Sequence, residues 1–151
     1  MTSKHAERIT GLRVQCLPQP QNAYALYSDG ANGPLHTATS HSPSQALEML
    51  VKWHYDQMRL QVFVEQHWRC WHCWGLKALS CDHIKPRAHG RVDQRFNLRG
   101  MCAECHERHT RNEALEIHPK MKTLMSGVGY RWRGEWGLGV EAWGWEKLDV
   151  G

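Results

Sequence analysis

Two C-x-x-C pairs, Cys70-Trp-His-Cys73 and Cys102-Ala-Glu-Cys105, constrain this chain more than anything else in it. Four thiolates at this spacing can hold one zinc tetrahedrally, and such a site supplies folding energy outright. The intervening segment is then pinned in three dimensions. It contains Asp82-His83-Ile84, a carboxylate beside an imidazole.

Six cysteines could instead make a disulfide framework, but the context argues otherwise. Met1–Arg8 has no apolar core of a signal peptide. No stretch approaches the ~18 apolar residues of a membrane span. The expected compartment is therefore a reducing cytoplasm, where paired C-x-x-C motifs read as metal sites, with no membrane partner. Cys16 and Cys81 are left as free thiols, Cys81 as a small core residue of a strand. Eleven histidines are many for 151 residues, and they cluster between His67 and His118, which suits metal or proton-transfer chemistry. The net charge of +4 is compatible with a polyanionic partner.

The length fits one domain with attached arms. Residues 1–67 read as an N-terminal arm, strand and supporting helix, 68–117 as the cysteine-bounded core, and 118–151 as a Trp/Gly-rich extension. Leu12–Leu17 suggests a leading strand broken at Pro18-Gln-Pro20-Gln-Asn22. Ala23–Tyr27 has strand character and ends at the turn signal Ser28-Asp29-Gly30, and residues 29–42 read as loop. A helix is predicted from Ser42-Pro43-Ser44-Gln45, with Ser42 as N-cap and Gln45 completing a capping box. Leu47, Leu50, Val51, His54 and Met58 make its apolar face, and it should end between Leu60 and Gln66. Short strands are predicted over Leu79–Ile84 and within Arg95–Met101, and a helix over Cys102–Leu115. In the extension, glycine spacing argues against a long helix, and Tyr130-Arg-Trp132 can form a strand.

Asp82, His83, Asn97, His106 and His109 together allow phosphodiester hydrolysis. A neutral imidazole can take a proton from water near neutral pH. A divalent ion can offset charge on the phosphate and the leaving oxygen, and carboxylate and imidazole are suitable ligands for it. Successive strand residues point to opposite faces, so Asp82 and His83 can serve one site only where the strand bends or ends. Pro86 supplies a reason for it to end there.

The run Cys70-x-x-Cys73, Asp82-His83-Ile84-x-Pro86, Gly90, Asn97-Leu98, Cys102-x-x-Cys105-His106 resembles the His-Asn-His (HNH) endonuclease motif. It resembles the zinc-stapled form common in phage and bacterial nucleases. The resemblance implies an α+β fold whose core is a ββα-metal finger. It also implies that His83 is the general base and that Asn97 holds the base-bearing loop in shape. Asp82 and His106 would bind the catalytic divalent ion (Mg2+, Mn2+ or Ni2+), and Cys70, Cys73, Cys102 and Cys105 a separate structural zinc. Cleavage would leave a 5′-phosphate and a 3′-hydroxyl. Two positions depart from the family pattern. His89-Gly90 stands where Gly-Gly is frequent, and His106-Glu-Arg-His109 stands where His-x-x-Lys is frequent. His109, three residues from His106 on a helix, is an alternative third ligand.

Between Cys70 and Asn112 there are eight basic and four acidic residues, a difference of 8 − 4 = +4. Lys85, Arg87, Arg91, Arg95, Arg99 and Arg108 are the candidates for phosphate contact with single- or double-stranded DNA. Lys85, Arg87 and Arg91 come first, because they follow His83. The tail tryptophans can stack on unpaired bases, but core packing is the favoured role. Two other functions stay open: a non-catalytic zinc module that binds DNA, and a nuclease directed at RNA or acting as a toxin. A small module of this kind often needs a partner to cut both strands. That partner could be a second copy of the chain or, in a phage-encoded protein acting in a host cytoplasm, a packaging or recombination protein.

Overall fold

Thr2 and Gly11 bracket the first helix, α1 (Ser3–Thr10). The Thr2 side chain accepts from the His5 amide, and Gly11 closes the last turn in the left-handed region at φ 75°. The computed structural model describes residues 1–21, 23–28 and 34–149. These form two compact units, Met1–Gln57 with Arg91–Gln94, and Met58–Gly90 with Arg95–Gly151.

In the first unit, β1 (Val14–Gln19), β2 (Ala23–Ser28) and β3 (His36–Thr39) make an antiparallel sheet in that order. Pro18 does not break β1 but pairs with Tyr24 inside it. β1 is an edge strand, where a missing N–H is tolerated. Neither α1 nor β3 matches the sequence expectation of an arm and a loop. α1 is short, and β3 hides in a Thr/Ser-rich stretch that forms a strand by pairing with β2. The expected turn at Asp29-Gly30, like residues 29–33 of the expected loop, lies outside the described residues.

The long helix α2 (Pro43–Glu65) starts as its capping signals predict, with the Gln45 amide donating to Ser42 Oγ at 3.2 Å. The reciprocal bond is displaced by one residue: Gln45 Oε1 accepts from the His41 amide at 3.2 Å. Leu47, Leu50 and Val51 from its predicted apolar face are buried with Ala6, Ile9 and Leu26.

In the second unit, the last turns of α2 place Val62 and Phe63 against Leu98. β4 (Leu79–His83) and β5 (Leu98–Cys102) form an antiparallel ribbon followed directly by α3 (Ala103–Thr110). This is the strand–strand–helix order expected of the core. α3 stops before Leu115 because Asn112 takes up a left-handed conformation at φ 64°. Gln66, fully buried, lies against the outer side of β5. Its Oε1 accepts from the Gly100 amide at 2.7 Å and its Nε2 donates to the Gly100 carbonyl at 3.0 Å.

The extension contributes Trp145 to the core, with Trp132, Trp136 and Trp143 packed half-buried against it. α4 (Pro119–Val128) buries Met121 and Met125, and β6 (Tyr130–Trp132) pairs with β7 (Trp145–Lys147). No long helix forms here; the short, 10-residue α4 carries its own punctuation, with the His118 side chain capping, Pro119 at the first position and Gly129 at φ 102° after the last. Trp132 meets both Trp71 and Trp145 edge-on, each with ring centroids 5.0 Å apart. Such pairs add about 0.5–1.5 kcal/mol each beyond the burial of their area.

Candidate metal and catalytic site

The two cysteine pairs converge. The four sulfurs of Cys70, Cys73, Cys102 and Cys105 lie within 4.8 Å of one another, and Cys73 Sγ is 3.8 Å from Cys102 Sγ. A sulfur tetrahedron around zinc with ~2.3 Å bonds has an edge of about 3.8 Å, whereas a disulfide would need ~2.05 Å. The first pair sits on a tight knuckle. Trp74, left-handed at φ 63°, donates to the Cys70 carbonyl at 3.1 Å, and the Cys70 amide donates to the Gly75 carbonyl at 3.0 Å. Two further amides point at sulfur, from Gly75 to Cys73 Sγ at 3.4 Å and from Cys102 to Cys70 Sγ at 3.3 Å. Burial pushes the Cys105 and Cys73 thiols up, and neighbouring sulfurs add to it. At Cys70 burial acts the same way but is outweighed by the amides of Cys102, Cys73 and His72, which bring the thiol down. Four thiolates in one cluster call for a cation, and the donor set could hold a zinc ion.

The Asp82 carboxylate lies near the end of β4. It is only 11% exposed, and its Oδ1 is 3.6 Å from His106 Nε2 on α3. Two ligands each ~2.1 Å from one ion stand between about 3.0 Å (cis) and about 4.2 Å (trans) apart, so this pair fits one divalent ion. The other oxygen, Oδ2, accepts from Arg99 Nε at 2.9 Å. Asp82 and Arg99 are directly opposed in the β4–β5 register.

His83 is the last residue of β4 and is half-buried. Pairing continues one step beyond it through the Ile84 amide, which donates to the Asn97 carbonyl at 2.9 Å. The fully buried Asn97 then grips the following loop. Its Oδ1 accepts from the Lys85 amide at 2.7 Å, and its Nδ2 donates to the Lys85 carbonyl at 3.4 Å. A single 3-10 turn at Arg87–His89 follows Pro86.

The HNH endonuclease family model matches residues 69–112. The chain carries an HNH domain. No curated protein and no solved structure matches the chain. The HNH family supports a nuclease and implies a nucleic-acid substrate, generally handled with a divalent metal. Among the described residues, no helix is long and apolar enough to cross a membrane.

The structure brings Asp82 and His106 of the HNH domain together. His109 Nε2 faces Arg99 Nη2 at 3.2 Å. A guanidinium only donates, so Nε2 is the acceptor and only Nδ1 remains for any other partner. Of the basic residues expected at phosphate, Arg87 is exposed and Lys85 half-buried, its Nζ lying 5.9 Å from the centre of the Trp143 ring. Arg108 is paired with Glu113 at 3.0 Å. Arg91 belongs to the first unit, where it bridges to buried Asp93 at 2.7 Å.

Arg95 and Arg99 correct the sequence expectation. They are 8% and 0% exposed and face inward. Arg95 pairs with Glu65 at 2.6 Å, and Arg99 lies over the Trp71 ring at 4.4 Å. Their charge is spent on carboxylates and indoles inside the domain.

Two participants escaped the sequence, and a third, Arg99, takes a role other than the phosphate contact expected of it. Trp143 Nε1 donates to Asn97 Oδ1 at 3.2 Å, and Glu135 Oε1 accepts from Arg99 Nη1 at 2.6 Å. Both come from the extension, and nothing local signals them. That role could have been found, because aligning the two short strands places Arg99 opposite Asp82, an opposite-charge pair on one ribbon.

Proposed function

We propose that this protein is a metal-dependent endonuclease that hydrolyses DNA phosphodiester bonds, with His83 as general base. The observation that carries this reading is the Asp82–His106 pair, a carboxylate and an imidazole 3.6 Å apart across β4 and α3 of an HNH domain. Asp82 and His106 would hold the divalent ion, with His109 as the alternative to His106 as a ligand. That ion, when bound, would offset negative charge on the phosphate and the departing oxygen.

His83 in its neutral form takes the proton of a water molecule as the water oxygen bonds to phosphorus. The P–O3′ bond breaks and the 3′ oxygen acquires a proton, leaving a 5′-phosphate and a 3′-hydroxyl. Asn97 keeps the Ile84–Lys85 backbone fixed, so that the imidazole one residue earlier keeps its aim. Cys70, Cys73, Cys102 and Cys105 would hold zinc away from the reaction, fastening the start of α3 and with it His106. Lys85 and Arg87 are the best-placed cations for the DNA backbone. In this reading residues 68–117 are the working core, and 118–151 complete its packing.

Digestion of supercoiled plasmid with Mg2+, Mn2+ and Ni2+, wild type beside His83→Ala, tests the proposal. Nicking by the wild type that falls by about 10²–10⁴-fold in the variant is the expected result. Equal rates for the two proteins, or no cleavage with any ion, would sink it. A matched RNA substrate in the same digest separates DNA from RNA as the target.

A further inference from the structure

Arg99 spreads its charge three ways. Nε donates to Asp82 Oδ2 at 2.9 Å, Nη1 to Glu135 Oε1 at 2.6 Å and Nη2 to His109 Nε2 at 3.2 Å. The side chain is fully buried, with its guanidinium 4.4 Å from the Trp71 ring centre and 5.7 Å from that of Trp132. So enclosed, it cannot reach a substrate phosphate.

A cation fixed on Asp82 is a problem for a divalent ion that needs the same carboxylate. Asp82 and Arg99 alone sum to zero, and a neutral pair holds a dication poorly. Glu135 changes the count, because two carboxylates on one guanidinium leave a net charge of −1. The anionic character of the site is thus restored from residue 135, outside the family-matched segment 69–112. The guanidinium meanwhile occupies Oδ2 and leaves Oδ1 toward His106.

We propose that Glu135 is a positioning residue that sets the divalent-ion affinity of the Asp82–His106 pair, by offsetting the Arg99 charge laid against Asp82. This rests on the reading of Asp82 and His106 as the divalent site. Glu135 need not touch the ion. Its carboxylate is 40% exposed and lies beyond the guanidinium. Partners one step removed from a metal ligand typically change metal affinity by about 10–100-fold.

The test is direct Mn2+ binding to the zinc-loaded full chain, counted as free ion by paramagnetic resonance and checked by calorimetry. It compares wild type, Glu135→Gln, Glu135→Asp and Asp82→Asn. Glu135→Gln keeps an acceptor for Nη1 but removes the charge, and it should weaken Mn2+ by about 10–100-fold. Its zinc content and melting temperature should match the wild type. Glu135→Asp should recover most of the affinity, and Asp82→Asn should lose Mn2+ altogether.

Wild-type affinity in Glu135→Gln, with binding lost in Asp82→Asn, overturns this inference and leaves the proposed function standing. Loss of cooperative melting in Glu135→Gln also overturns it, since Glu135 would then be holding the fold. Glu135→Asp binding as poorly as Glu135→Gln would defeat the charge account. A wild type that binds no Mn2+ beyond its zinc removes the divalent site itself, and this inference with it.

Discussion

Trp143 and Lys85 meet on one oxygen: the Trp143 indole N–H and the Lys85 backbone N–H both donate to Asn97 Oδ1, at 3.2 and 2.7 Å. Asn97 is thereby held by the extension as well as by its own loop. Asn97→Ala would orphan the Lys85 amide and the indole N–H, each at a cost of about 1–3 kcal/mol. Urea unfolding of zinc-loaded protein should show the combined loss. Trp143→Phe, which keeps a ring but drops one donor, should lose about 0.5–1.5 kcal/mol. Equal losses for the two variants would mean that the Lys85 contact carries no weight.

Zinc removal should unfold the second unit rather than merely silence it. Cys70, Cys102 and Cys105 are buried, and without a cation their cluster cannot ionise together. Cys102→Ser, or a strong chelator, should abolish the cooperative melt of this unit. Metal analysis should find one zinc per chain in the wild type and in His83→Ala. A zinc-free wild type with an unchanged melt would contradict this.

Gly144 is required on two counts. Its φ is +72°, and a Cβ there would stand 2.2 Å from the Phe96 carbonyl oxygen, a backbone atom that cannot swing away. Gly144→Ala is expected to cost at least about 2 kcal/mol. Gly139 shares a positive φ of +81° but has open space around its Cβ position, so Gly139→Ala should cost only about 1 kcal/mol. Thermal melts of the two variants side by side give the comparison.

His54 is expected to make the first unit sensitive to acid. Burial lowers its pKa; Asp93 pulls the other way less strongly, and Arg91 adds to the lowering. Its Nδ1 has no hydrogen-bond partner among the described residues. Below pH ~6.5 the unfolded chain takes up a proton that the folded His54 refuses. Its contribution to stability is therefore complete above that pH and is lost as pH falls toward the depressed folded value. Between pH 7.5 and 5.5 the urea midpoint of the wild type should fall further than that of His54→Gln. Parallel curves would show that His54 is not the group responsible.

The parts of the molecule written in local code were legible in advance. The knuckle and the β4–β5–α3 order followed from the cysteine spacing and the Asp82-His83 and Asn97-Leu98 steps. The start of α2 followed from Ser42-Pro43. α4 was equally well marked by Pro119 and Gly129, but the glycines after it obscured the signal. β3 and the burial of Arg95 and Arg99 were hidden for a different reason. A strand of Thr and Ala exists only because β2 lies alongside it, and an arginine goes inside only when Glu65, Asp82 and Glu135 arrive from distant segments to receive it. Charge counted along the sequence therefore overstated the cations left at the surface.

Gln66 has one more effect. A two-stranded ribbon normally displays a row of unclaimed peptide groups, an invitation to a neighbouring molecule. Here the Gln66 side-chain amide engages both Gly100 groups, and the Trp71 backbone amide shares the Gly100 carbonyl at 3.0 Å. The outward-facing peptide groups at the midpoint of β5 are thus already engaged within the chain, by one side chain and one neighbouring amide rather than by a further strand.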